Sequence, residues 1–193
     1  MTINDDKQDL RLRAKEKRSQ AVADAGSEAA VRLVGNFIHA ASSFPQTDSA
    51  VAAYWPMANE IDVRPLMKEL HGQDRAVALP VVAGAAKPLI FRRWVPGMEL
   101  EEGGFGTHHP GPEAPEIIPG ILLVPLLAFD AQGFRLGWGG GFYDRTLAEL
   151  RAAGTVLAVG VAYSGQKVDR VPKDSHDEAL DWIITDRDVL EIS

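Results

Sequence analysis

Between Val124 and Arg145 the chain reads VPLLAFDAQGFRLGWGGGFYDR, and Gly137, Gly139, Gly140 and Gly141 put four glycines in five positions. Glycines this dense let several backbone N–H groups face one object with no side chain in the way, and that object is usually a phosphate. Phe142 to Ala153 then reads as a helix, whose N-terminal end also favours an anion. The apolar run Ile121 to Val124, ended by Pro125, reads as a buried strand in front of the loop. Strand, glycine turn and helix in that order point to an α/β layout. Two phosphate motifs are excluded. A P-loop needs Gly-Lys-Ser/Thr where Gly140-Gly141-Phe142 stands, and a dinucleotide fingerprint needs a third glycine where Phe142 stands. A turn that only reverses the chain is the plain alternative. Arg135, Asp144 and Arg145 speak against it, since such a turn has no need of them.

The rest of the chain repeats the alternation. Strands are predicted at Ala50–Tyr54, Ala76–Val82, Leu89–Phe91, Thr155–Tyr163 and Trp182–Thr185, with a helix from an Asp62 cap to about His71. Strands separated by helices give a mostly parallel sheet covered by helices on both faces. Ligands in such sheets bind beyond the carboxyl ends of the strands, where the glycine loop falls. Residues 95–120 hold most of the prolines and glycines and read as an active-site flap. His108 and His109 lie in it without spaced partners and are read as loop residues.

The length of 193 residues suits one core and one domain. Absence of cysteine fits a reducing cytosol, and a cytoplasmic location is expected. The longest apolar stretch, Ile121 to Phe129, is too short to span a membrane, and the N-terminus has no signal-peptide core. A net charge of −7 argues against nucleic-acid binding. Yet residues 7–18 are basic. Lys7, Arg11, Lys15 and Arg18 would share one face of a helix over about residues 5–20. Charge pattern alone reads this as a solvated helix. The functional alternative is an arm that folds over a polyanion, in this acidic chain a nucleotide.

Four segments taken together resemble the 5-formyltetrahydrofolate cyclo-ligase family: KQDLR at Lys7–Arg11, YWPMANEID at Tyr54–Asp62, the Val124–Arg145 block, and VPKDSHDEALDWI at Val171–Ile183. The block is highly specific; the others gain weight from their order. The resemblance implies a three-layer α/β sandwich over residues 1–193 and conversion of 5-formyltetrahydrofolate to 5,10-methenyltetrahydrofolate with MgATP. It places ATP binding on Lys7, Gln8, Asp9, Leu10 and Arg11 and on Arg135, Leu136, Gly137, Trp138, Gly139, Gly140, Gly141, Phe142 and Tyr143. Arg135 is the implied catalytic cation. Folate binding falls on Trp55, Glu60 and Trp138 to Phe142, and Mg2+ binding on Asp144 and Asp181. The implied partners are folate and ATP, with no nucleic acid or membrane, in a monomer or weak homodimer. His176-Asp177 is read as a structural turn. Two positions depart from the family pattern: Trp138 and Gly140 are uncharged where some members carry a base, and Thr107 and His109 replace an isoleucine and a glutamate in the flap. A sugar-phosphate isomerase-like enzyme and a nucleotide- or RNA-binding module are the competing functions.

Overall fold

The computed structural model describes residues 2–45 and 48–192. In chain order its helices are α1 (Ile3–Ala25), α2 (Ala29–Ala41), α3 (Arg64–Gly72) and α4 (Phe142–Ala153). Its strands are β1 (Val51–Ala52), β2 (Val77–Val82), β3 (Leu89–Trp94), β4 (Glu101–Glu102), β5 (His108–His109), β6 (Ile121–Pro125), β7 (Ala128–Phe129), β8 (Arg135–Leu136), β9 (Leu157–Ala162), β10 (Trp182–Thr185) and β11 (Val189–Glu191). Seven strands form one sheet in the order β11-β10-β9-β6-β1-β2-β3. The five inner strands are parallel, and both edge strands, β3 and β11, pair antiparallel.

The period-2 alternation of a strand buried on both faces assigns each side chain to one layer. Ile121 and Leu123 of β6 join a cluster with Leu33 and Phe37 of α2 and Leu66, Met67 and Leu70 of α3. Leu122 and Val124 point the other way, to a cluster with Leu147 of α4. The three-layer sandwich expected from the sequence is therefore present. Helix α2 occupies a stretch to which the sequence reading assigned no element. β1 is shorter than predicted: Ala53 N still donates to Ala78 O, but Trp55-Pro56 follows and Pro56 has no N–H to extend the ladder.

The sheet changes winding direction between β1 and β6. From β1 the chain crosses by α3 to β2 on one side; from β6 it crosses by α4 to β9 on the other. A crevice opens at the carboxyl ends of two such neighbours. Trp55–Glu60 leaves the end of β1. The hairpin β7–β8 and then the glycine loop leave the end of β6. Buried Asp130 shapes that hairpin, its Oδ1 accepting from Gln132 N and Phe134 N and its Oδ2 from Val171 N.

The segment at 95–120 is less loose than a flap. His108 and His109 form β5, paired with β4, so they are strand rather than loop residues. Ile117 N donates to Phe91 O, and Arg92 Nη1 to the carbonyls of Pro112 and Ala114, which fastens the segment along β3. Among the described residues no helix is long and apolar enough to cross a membrane.

Candidate active site

α1 starts on a capping box in which Thr2 Oγ1 accepts from Asp5 N and Asp5 Oδ2 accepts from Thr2 N. Its buried face is Lys7, Leu10, Ala14, Arg18, Ala21 and Ala25, a spacing of three and four residues. The helix is therefore not simply solvated: two of its cations, Lys7 and Arg18, turn inward. Lys7 Nζ donates to Asp174 Oδ2 at 2.8 Å and Asp177 Oδ2 at 2.6 Å. Burial works against its charge, but the two carboxylates outweigh it and raise its pKa. Arg11 Nε donates to Gly137 O at 3.0 Å, joining the helix to the glycine loop. Lys15 and Arg18 lie 5.1 and 5.2 Å from the centre of the Trp138 ring. Gln8 and Asp9 face solvent, and Leu10 is core.

The glycine loop bends through left-handed backbone at Gly139 (φ 100°) and Gly141 (φ 64°), the latter at the start of α4. The φ at Gly139 is one that side chains rarely adopt, and a Cβ there would stand 3.1 Å from the Arg11 guanidinium, which would have to shift slightly. Leu136 is core; Phe142 and Tyr143 pack against the α4-side cluster. Arg145 Nη2 donates to Gly140 O and stacks its guanidinium 5.1 Å from the Phe142 ring.

Arg135 has a side chain only 5% exposed, with Nη2 on Asp144 Oδ1 at 2.7 Å and Nη1 donating to Glu178 O. Asp144 Oδ1 also accepts from Glu178 N at 3.1 Å. The two acids read as metal ligands, Asp144 and Asp181, are linked through Glu178 and Arg151: Glu178 N donates to Asp144 Oδ1, and Arg151 donates to both Glu178 Oε2 and Asp181 Oδ2. Asp181 Oδ2 accepts from Ala158 N and from Arg151, which lies two turns down α4 from Asp144, roughly 10 Å along the axis. Asp177 precedes Glu178 in the chain, and its Oδ2 accepts from Lys7 Nζ and Asp174 N. Among the described residues no three His, Cys, Asp or Glu gather as a ready metal cage.

Glu60 is buried under the β1 turn. Its Oε2 accepts from Met57 N at 3.0 Å, and its Oε1 lies 3.9 Å from Arg18 Nη1, with both side chains 4% exposed. Burial raises its pKa, against the pull of the Met57 N–H, Arg18 and a hydrogen bond from Trp138. Trp55 is half-buried, with Arg64 stacked 5.5 Å from its ring. Asp62 sits one residue ahead of the cap of α3 and accepts from Arg64 N.

Helix cations, a glycine loop and a buried carboxylate thus converge at the switch point of the sheet, the arrangement implied by the cyclo-ligase resemblance. The model of the 5-formyltetrahydrofolate cyclo-ligase family matches residues 3–186. The chain belongs to that family. The 5-formyltetrahydrofolate cyclo-ligase of Escherichia coli K12 is 31% identical over 189 residues, covering 94% of this chain and 99% of that protein. The Haemophilus influenzae protein of the same name is 36% identical over 135 residues, 67% of this chain and 72% of the relative. Among solved structures, the Aquifex aeolicus 5,10-methenyltetrahydrofolate synthetase superposes with a TM-score of 0.68 at 31% identity, covering 93% of this chain and 92% of that one. The sequence expectation of a cyclo-ligase stands.

Arg18 and Asp177, which the sequence does not mark as site residues, lie beside residues that it does. Arg18 was visible as the last member of the basic face, at i+11 from Lys7. Asp177 had no such signal: its neighbour His176 made it look like a turn, and the bond from Lys7 shows where it lies.

Proposed function

We propose that the chain binds MgATP between α1, the glycine loop and the first turn of α4, binds 5-formyltetrahydrofolate against Glu60 and Trp55, and closes the formyl group onto N10 with release of ADP and phosphate. The observation that carries this reading is the docking of the Arg11 face of α1 on the glycine loop, directly beside Glu60.

A formyl amide oxygen is a very poor leaving group. Carrying a phosphoryl group, it departs as phosphate, so the γ-phosphoryl is transferred to it first; N10 then attacks the formyl carbon and loses its proton. The protein's share is positioning and charge neutralisation. Backbone N–H groups from Gly137 to Gly141 would surround phosphate oxygens. Lys7, Arg11 and Arg145 would supply positive charge, each held by partners in the protein. Arg135, already fixed by Asp144 and the Glu178 carbonyl, adds charge at the base of the loop without a change of rotamer. Glu60 accepts N–H groups of the pterin, while Trp138 and Phe142 flank it.

Magnesium, when bound, would supply charge neutralisation at the phosphate. Two carboxylates completed by water and phosphate suit it, since Mg2+ is usually held by one or two acids rather than a protein cage. Asp144 would hold it together with Asp181, the pair that the family resemblance implies, or with Asp177. What supports Asp177 is its place beside Glu178 and its pairing with Lys7, the cation that phosphate would recruit; Asp181 already serves Ala158 N and Arg151.

The test is near-UV absorbance after mixing protein, 5-formyltetrahydrofolate, ATP and magnesium, with single-omission controls. Growth of the methenyl chromophore only in the complete mixture supports the proposal. No growth from folded protein would sink it.

A further inference from the structure

Arg18 is an odd residue to bury. Its side chain is 4% exposed, and Nη1 has no hydrogen-bond partner; Glu60 Oε1 is the nearest acid at 3.9 Å, too long for a hydrogen bond. A buried, unpaired guanidinium N–H is costly, and such groups call for a partner missing from the free protein. The neighbouring carboxylate is in the opposite condition, with Oε2 accepting from Met57 N and the Trp138 side chain helping to favour its charge. Trp138 lies against both residues, yet it is 50% exposed and held by no strand or helix. An indole N–H is a donor only, so Trp138 offers Glu60 what a ring N–H of a ligand would offer.

We propose that Arg18 is a specificity residue for the folate: once Trp138 moves aside, Glu60 accepts from the 2-amino and ring N–H groups of the pterin and Arg18 Nη1 donates to its 4-oxo group. The proposal rests on the folate reading of this site and deepens it. The 4-oxo-2-amino edge presents one acceptor beside two donors. The pair Arg18–Glu60 presents the complement, one donor beside one carboxylate. A 4-amino analogue would put a donor against Arg18 and leave two buried N–H groups facing each other, and sites built on buried hydrogen bonds reject such mismatches strongly. Lys15, the other cation on the Trp138 ring, is exposed and carries no such discrimination.

The experiment measures equilibrium binding of 5-formyltetrahydrofolate and of its 4-amino counterpart by calorimetry, for the unaltered protein, Arg18→Met and Arg18→Lys, with the KM for ATP as control. The unaltered protein should prefer the 4-oxo ligand by at least about 100-fold. Arg18→Met should weaken the 4-oxo ligand about 10- to 100-fold, barely change the 4-amino one, and leave the KM for ATP unchanged. Arg18→Lys should recover part of the preference, which also guards against a folding defect in the methionine variant. Equal weakening of both ligands, or an unchanged preference in folded Arg18→Met, would overturn the proposal. Failure of the unaltered protein to bind either ligand would instead sink the folate reading itself.

Discussion

Arg11 Nε and the carbonyl of Gly137 meet at 3.0 Å across 126 positions of sequence, and this bond fastens the first helix to the nucleotide loop. The loop therefore takes its shape partly from outside itself. Arg11→Ala should raise the KM for ATP about tenfold, the loss of one hydrogen bond to a charged group, while thermal unfolding shifts little. An unchanged KM would remove Arg11 from the ATP site.

Gly139 tests the same contact from the other side. Its φ of 100° disfavours any side chain, and a Cβ would press on the Arg11 guanidinium. Gly139→Ala should destabilise by about 1–2 kcal/mol and weaken ATP binding more than Arg11→Ala does. Urea denaturation and ATP titration read the two effects separately.

The acids of the first α4 turn and the C-terminal segment should separate into two classes. Asp144→Asn and Asp177→Asn should each reduce turnover greatly and raise the magnesium requirement while the fold survives. Asp181→Asn should lower the melting temperature, because Ala158 N and Arg151 lose their carboxylate, with the magnesium requirement little changed. The reverse pattern would favour Asp181 over Asp177 at the metal site.

Glu60 gives a pH dependence with a definite sign. Its folded pKa lies above the ordinary glutamate value because of burial. If Glu60 binds the pterin as proposed, the KM for folate should rise as pH falls through that raised value, while the KM for ATP stays flat. For stability, the folded protein holds this proton more tightly than the unfolded chain does. The group's stabilising contribution is thus present below the unfolded pKa and is lost as pH rises through the folded one. Glu60→Gln should abolish both trends and raise the folate requirement more than the ATP requirement. A folate profile with the same slope in Glu60→Gln would show that another group titrates.

Phe37 is fully buried and meets Phe44 edge to face at 5.7 Å in the layer between α2 and the sheet. Phe37→Ala should cost about 3–5 kcal/mol, measurable by chemical denaturation, with substrate KM values unaffected in the surviving folded fraction.

The parts of this architecture that a linear reading reached were those with a local cause. The run Ile121–Val124, the helix Phe142–Ala153 and the strand Trp182–Thr185 each carry their own periodicity and stop signals, and they lie within a residue of where they were expected. β7, β8 and β11 are two or three residues long and carry no period at all; tertiary pairing makes them strands. The site divides in the same way. The glycine loop announces itself by composition. The burial of Arg18 against Glu60, and the bond from Glu178 N to Asp144, depend on how distant segments pack and cannot be read from local spacing.

The pairing of Lys7 with Asp174 and Asp177, 167 and 170 positions downstream, sets an order of events during synthesis. α1 leaves the ribosome well before its anchors, which follow roughly 10–30 s later at ~5–20 residues per second. Through that interval the helix has cations on the face it must bury and little apolar surface to hold it anywhere. A nascent chain halted before residue 174 would carry the glycine loop without a secured N-terminal arm. On the proposed reading, nucleotide capture would then begin only once Asp174 and Asp177 have met Lys7.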